Sequence, residues 1–186
     1  MTGEQATLAV IDALEELGIP YMLTGSLASN LYGIVRSTHD ADFVLQIEAR
    51  QLAELKDALG RDYVLDPQVS FETVTGTTRH ILKLRDGRFT VELFQLADDP
   101  HDQARFRRRV RKRVDDRLAS VPTPEDVIIQ KLRWARGGRH GQDAADARGV
   151  IAVQADKLDW AYINGWCDRH GTRALLDDVR ASIPAG

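Results

Sequence analysis

The sequence predicts an α/β fold in which a small mixed sheet is flanked by helices and followed by a helical C-terminal part. Three observations carry this. Over residues 1–120, short β-branched and aromatic runs alternate with stretches of helical periodicity. Beyond Val121 only helical periodicity remains. Hydrophobic residues make up 43% and charged residues 28% of the 186, ordinary globular usage that excludes a disordered or fibrous chain. The expected division is a sheet-containing core over 1–120 and a helical part over 121–186 packed on it.

Val10, Ile11, Leu14 and Leu17 share one face, so 4–17 reads as a helix that Gly18 ends. Tyr21-Met22-Leu23, between Pro20 and Gly25, is a strand. Gly25-Ser26 opens a short helix that Gly33 stops. Ala41 to Ile47 is β-rich and too short for a helix, and reads as a buried strand. Helical spacing resumes over Glu48 to Leu59 through Leu52 and Leu55. Strands are then expected at Tyr63–Leu65, Val69–Val74, Ile81–Leu84 and Phe89–Phe94, with Asp86-Gly87 as a hairpin turn between the last two. Asp98 to Val110 reads as a helix. Thr123 as N-cap, Pro124 at the first helical position and acids in the first turn start a helix reaching Arg136, where Gly137-Gly138 stops it. Helices over Asp143–Val153, Leu158–Arg169 and Thr172–Ile183 complete the chain. Trp134, Tyr162 and Trp166 recur at helical spacing and are expected to be core for these helices.

The formal net charge of −3 excludes a uniformly basic surface. The single cysteine, Cys167, cannot form an intrachain disulfide, and no Cys/His spacing suggests zinc. The acidic, amphipathic start is unlike a signal peptide. No apolar run approaches the roughly 18 residues needed to cross a bilayer. A soluble, cytoplasmic protein without membrane contact is expected.

The chemistry is concentrated in Gly25-Ser26, a thirteen-residue spacer, and Asp40-Ala41-Asp42. Asp40 and Asp42 lie at i and i+2 at the mouth of a strand, so their side chains leave the same face, about 6.6 Å apart at Cα. Two such carboxylates repel unless a cation sits between them. Magnesium prefers hard oxygen donors completed by substrate phosphates. Gly25-Ser26 marks a strand-to-helix junction, where a glycine permits close approach and free N–H groups favour an anion. A phosphate cradle beside a two-acid site implies phosphoryl or nucleotidyl chemistry. Glu92, an acid in the apolar run Phe89–Phe94, is the candidate third ligand, since such a carboxylate is costly unless paired or metal-bound.

These residues resemble the nucleotidyltransferase superfamily of DNA polymerase β type. Within it, the run 25–45 (GSLASNLYGIVRSTHDADFVL), then VELF at 91–94, TPEDVIIQKLRWA at 123–135 and GQDAADARGVI at 141–151 resemble AbiEii-type toxins and related small bacterial nucleotidyltransferases. The resemblance implies a mixed sheet of nucleotidyltransferase type and an enzyme that moves a nucleoside monophosphate from a triphosphate to an acceptor hydroxyl on RNA, protein or a small molecule. Gly25 and Ser26 would hold the triphosphate. Asp40 and Asp42 would bind Mg2+ or Mn2+. Glu92 would help bind the catalytic metal and activate the hydroxyl, although the superfamily's third acid is more often Asp, shorter by one methylene. Lys131 would reach the phosphates. Asp143 and Asp146 match the D-x-x-D of these relatives. The toxin resemblance also implies an antitoxin protein as partner.

Each residue also has a structural reading. Glu92 can pair across strands with Lys83 or Arg79. Arg36 can bind phosphate or form an ion pair, and Lys131 can bind phosphate or be solvated. Asp143 and Asp146 share a helix face and can form ion pairs with Arg139 and Arg148. His39 reads as a loop residue. Arg105, Arg107, Arg108, Arg109, Arg111, Lys112 and Arg113 crowd nine positions and form either a solvated face or a track for an RNA backbone; Phe106 is the one aromatic among them. The alternative from another class is a non-catalytic module on the same fold that binds nucleic acid or protein through this block. A glycosyltransferase using Asp-x-Asp for a nucleotide-sugar is disfavoured by the upstream Gly-Ser and the small size.

Overall fold

The computed structural model describes residues 1–85, 87–136 and 141–184. Helix α1 (Gly3–Glu16) starts with a capping box between Thr2 and Gln5 and buries Val10, Ile11 and Leu14. Leu17, expected on that face, is the C-cap and lies on the surface, because the chain turns at Gly18 with φ +63°. Strand β1 (Tyr21–Thr24), helix α2 (Gly25–Tyr32), strand β2 (Asp40–Leu45) and helix α3 (Ala49–Leu59) come next, as the patterning predicts. Strands β3 (Tyr63–Leu65), β4 (Ser70–Glu72), β5 (Thr77–Leu84) and β6 (Thr90–Gln95) lead into helix α4 (Pro100–Arg108). Strand β5 begins four residues before the predicted Ile81, since Thr77-Thr78-Arg79-His80 is strand hidden by polar residues. The expected turn at Asp86-Gly87 includes residue 86, outside the described residues.

The sheet is mixed, in the order β1-β2-β6-β5-β3, with β4 also pairing β5. Strands β2 and β6 run parallel, and the other pairings are antiparallel. Alternation sends Tyr21, Leu23, Ala41, Phe43, Leu45, Val91 and Leu93 into a core with α1. The opposite face carries Asp40, Asp42 and Val44 on β2 and Glu92 and Phe94 on β6. One strand periodicity thus builds the core and aims the acids away from it.

The basic run conceals two strands after α4. Val110–Val114 (β7) and Arg117–Val121 (β8) form an antiparallel hairpin around Asp115-Asp116, with Asp115 at φ +52°. Its Ala119 and Val121 join the first core. Thr123 then caps α5 (Pro124–Arg136), accepting from the Asp126 N–H at 3.3 Å. The expected Gly137-Gly138 stop lies outside the described residues. Helices α6 (Gly141–Gln154), α7 (Trp160–His170) and α8 (Arg173–Ala181) complete the chain. They and α5 share a second core of Ile128, Leu132, Val150, Ile163 and Leu176, to which α2 contributes Ala28 and Tyr32. Among the described residues no helix is long and apolar enough to cross a membrane.

Candidate active site

Strand β1 ends at Thr24, which pairs with Asp42, so the start of α2 stands directly over the acids. Gly25 adopts φ +62°, and a Cβ there would lie 1.8 Å from Asp42 Oδ2. Only a residue without a side chain fits, which is why the turn carries glycine. On the neighbouring strand Glu92 is in register with Asp42, and Asp40 with Thr90. Burial first, then the charges of Asp40 and Glu92, push the Asp42 carboxyl up to about 7. Asp40 Oδ1 accepts from the Thr38 hydroxyl at 2.6 Å, and Glu92 Oε2 accepts from Arg79 Nη1 at 2.8 Å. Of the two cross-strand partners open to Glu92, Arg79 is the one used; Lys83 pairs with Asp66 at 2.6 Å.

The donor set is all oxygen and the Asp40–Asp42 pair is electrostatically unsatisfied, which fits a divalent cation such as Mg2+ or Mn2+. Among the described residues no three His, Cys, Asp or Glu side chains stand ready to hold one ion. Glu92 is engaged with Arg79 through Oε2, which leaves its other carboxylate oxygen to join the two aspartates.

The remaining predicted residues meet on one side of the acids. Ser26 is buried, and its Oγ accepts from Arg36 Nη2 at 2.6 Å. Arg36 is fixed through its backbone, which gives its N–H to Asn30 Oδ1 and accepts from Asn30 Nδ2. Its guanidinium grips Asp146 twice, at 2.8 and 2.9 Å. Lys131 Nζ lies 2.8 Å from both Asp143 and Asp146, and Gln142 Nε2 donates to Asp146. Burial alone would raise the Asp146 carboxyl, but its hydrogen bonds from Arg36 and Lys131 prevail and bring it down to about 2. Lys131 is therefore not solvated. The network around Asp143 and Asp146 uses Arg36 and Lys131 instead of the expected cations: Arg148 bonds Ser182, and Arg139 lies outside the described residues. His39 is an exposed loop residue, as predicted.

A cleft of about 230 Å³ contains all of this, lined by Gly25, Ser26, Arg36, Asp40, Asp42, Glu92, Lys131 and Asp143 together with residues that sequence reasoning missed. Chief among these are Gln130, which the sequence does not single out, and Arg105 and Trp134, expected instead in a basic face and in the C-terminal core. Trp134 does not join the C-terminal core as expected. It meets Phe94 edge-on, with 6.1 Å between ring centroids, and lines the cleft, while Tyr162 and Trp166 do pack on the second core. Only the apolar partner across the interface distinguishes Trp134 from them, and sequence spacing does not show it.

The basic run is divided by the fold. Arg105 is buried against Asp102 and donates to Thr24 Oγ1 at 3.2 Å. Arg108 bonds Asp126 and stacks on Tyr162, and Arg109 stacks on Phe106. Arg111 pairs with Glu15, and Lys112 lies over Tyr32. Arg107, Arg108, Arg111 and Arg113 are exposed and the other three are not, so the seven cations do not form one uniform solvated stripe.

No protein-family model and no curated protein sequence matches the chain. Solved structures do match by shape. The antibiotic-resistance factor ANT(2'')-Ia, in complex with adenylyl-2''-tobramycin, aligns with a TM-score of 0.62 at 14% identity, covering 94% of this chain and 99% of that one. A nucleotidyltransferase from H. pylori aligns at 0.54 with 19% identity over 96% of this chain and 80% of its own. The lincosamide antibiotic adenylyltransferase LnuA, lincomycin-bound, aligns at 0.52 with 16% identity over 82% and 98%. The mixed sheet, its flanking helices and the helical C-terminal part are the nucleotidyltransferase fold.

Proposed function

From this fold and this cleft we propose that the protein is a metal-dependent nucleotidyltransferase that moves a nucleoside monophosphate from a triphosphate to the hydroxyl of a small molecule. One observation carries the reading: Asp40 and Asp42 project from the head of β2 beneath a glycine turn that has no room for a side chain. A structural acid pair would not require that contact.

The acceptor oxygen attacks the α-phosphorus and forms the new P–O bond. The bond to the bridging oxygen breaks, and pyrophosphate leaves. Glu92 receives the hydroxyl proton on the carboxylate oxygen that Arg79 does not hold. Ser26 and the N-terminus of α2 face the phosphates. Lys131 and Arg36, held in place by Asp143 and Asp146, supply positive charge beside them. A bound magnesium or manganese ion would offset the triphosphate charge and polarise the phosphoryl oxygens. Positioning and fixed charge supply most of the acceleration.

A small acceptor is favoured because five of the seven clustered cations, Arg105, Arg108, Arg109, Arg111 and Lys112, are engaged within the protein. ANT(2'')-Ia and LnuA are likewise described with small antibiotics. The test is incubation with α-labelled nucleoside triphosphates, magnesium and a panel of small polyhydroxyl compounds, with tRNA and protein as further acceptors. Label on a small molecule that is lost in Asp42→Ala supports the reading. Transfer that survives in Asp42→Ala refutes the mechanism, and transfer to tRNA alone refutes the acceptor class.

A further inference from the structure

We propose that Arg105 is a positioning residue: by holding the Thr24 hydroxyl, it keeps the first-turn N–H groups of α2 open for the triphosphate. The proposal rests on the transfer reading above and gives a role to a residue that the reading does not use. Thr24 is the N-cap of α2, with extended backbone at φ −132° and ψ −154°. A threonine there ordinarily turns its Oγ1 onto the N–H two or three residues ahead, one of the amides that the first turn of a helix leaves without a partner. Two other threonine N-caps of this chain do so: Thr2 accepts from the Gln5 N–H at 3.1 Å, and Thr123 from the Asp126 N–H at 3.3 Å. Thr24 caps nothing. Its Oγ1 accepts instead from Arg105 Nη1 at 3.2 Å, across 81 positions of sequence.

The surroundings fix Arg105 for this task. Its side chain is 5% exposed, and Asp102 accepts from its Nε at 2.6 Å and its Nη2 at 2.5 Å. Asp102 is tied in turn to the Ala97 N–H at 3.1 Å. The remaining arm of the planar fork, Nη1, is the one that meets Thr24. A guanidinium serves two acceptors in fixed geometry, whereas a lysine ammonium is a single point charge. Thr24 is in register with Asp42, so the amides left open stand beside the acid pair. Ser26, in the same turn, is a second sign that an acceptor belongs there. It is 9% exposed, its Oγ accepts from Arg36, and among the described residues no group accepts its hydroxyl proton. Buried donors are almost always satisfied. A hydroxyl and neighbouring amides that all lack acceptors suit phosphate oxygens, which only accept. A Thr24 hydroxyl turned onto the helix would occupy one of those amides and put a lone-pair oxygen where the phosphate belongs.

The experiment measures magnesium-dependent binding of inorganic tripolyphosphate to the full chain by calorimetry. Arg105→Lys keeps the charge and the pairing with Asp102 but gives up Thr24. It should bind about fivefold more weakly than wild type, the scale of one N-cap interaction. Adding Thr24→Val removes the hydroxyl that would close the amides, and should return the affinity to within about twofold of wild type. A merely structural Arg105 predicts no recovery, because losing a second polar group does not repair a misplaced helix. Unchanged affinity in Arg105→Lys, or no recovery in the double variant, would overturn the inference and leave the transfer reading standing. Amide hydrogen exchange tests the same point in the unaltered chain. The Ser26 and Leu27 amides should exchange as open groups in the free protein and become protected when tripolyphosphate binds. Amides already protected in the free protein would overturn the inference. A wild-type chain that binds neither tripolyphosphate nor ATP would remove the transfer reading and this inference with it.

Discussion

Gly25 is the residue on which the site turns, because it meets two demands at once. Its positive φ costs a residue with a Cβ roughly 1–2 kcal/mol, and the added carbon would enter the Asp42 carboxylate. Gly25→Ala is therefore expected to lower unfolding free energy by roughly 1–3 kcal/mol in urea titrations and to abolish label transfer. Asp146 gives a prediction with a sign. Its folded pKa of about 2 lies below the usual carboxylate value, so its pairing with Arg36 and Lys131 stabilises the protein in full above the unfolded pKa. That stability is lost as pH falls toward 2. Asp146→Asn should cost roughly 1–3 kcal/mol near pH 7, and the gap to wild type should close in acid-range unfolding curves. At this scale the sequence was informative about identity and poor about partners. Gly25, Ser26, Asp40, Asp42 and Glu92 are legible because strand alternation and one glycine turn constrain them locally. That Arg36 and Lys131 meet on Asp146 depends on α6 crossing α2, a contact between residues 110 positions apart in sequence, and no local pattern records it.

Among the elements, the least legible was the hairpin β7–β8. Arg111, Lys112 and Arg113 occupy consecutive positions of a strand, so charge hides the alternation that would reveal it. The fold buries Arg105, half-buries Arg109 and Lys112 and leaves the other four cations exposed, so the block is divided in space. Arg107 and Arg113 remain exposed, and Arg107→Ser with Arg113→Ser should leave label transfer within about twofold of wild type, since surface changes of this kind rarely matter. The junction of α4, α5 and α7 is a second element-level feature, and it responds to acid. His101 is fully buried against Asp126 and lies 5.3 Å from His170, ring centre to ring centre. Burial first, then the charges of Arg133 and His101, lower His170 to about 4. Burial also lowers His101. Both favour the folded state while neutral; the His170 contribution is complete above the unfolded value of 6.5 and is lost as pH falls toward 4, and His101 acts in the same direction. His170→Gln should flatten the loss of stability across that window by roughly 1–2 kcal/mol, as read from denaturation at about pH 7 and about pH 5.

The molecule has two large hydrophobic cores bridged by α2 and a third, small cluster of Met22, Val44, Phe94 and Phe106, with the cleft between the acid face of the sheet and α5. The fold class and the helical C-terminal part arise from periodicity that a sequence displays, whereas the parallel pairing of the two acid strands is seen only in the structure. The assembly of the cleft does not, because Trp134, Gln130 and Arg105 acquire their roles only when α4 and α5 close over the sheet. The cleft takes lining residues from elements of both cores, so a ligand bound there should raise the melting midpoint of the whole chain. A magnesium-nucleotide complex at about a hundred times its Kd should add about 2.7 kcal/mol, a shift of several degrees that Asp42→Ala should lack. The most direct test of the central claim is a crystal structure with a non-hydrolysable triphosphate and magnesium. The account predicts that Asp40 and Asp42 would hold the metal, with the Glu92 carboxylate at the same site and the pyrophosphate end beside Ser26 and Lys131. A triphosphate bound away from the aspartates, or metal held without either of them, would contradict it.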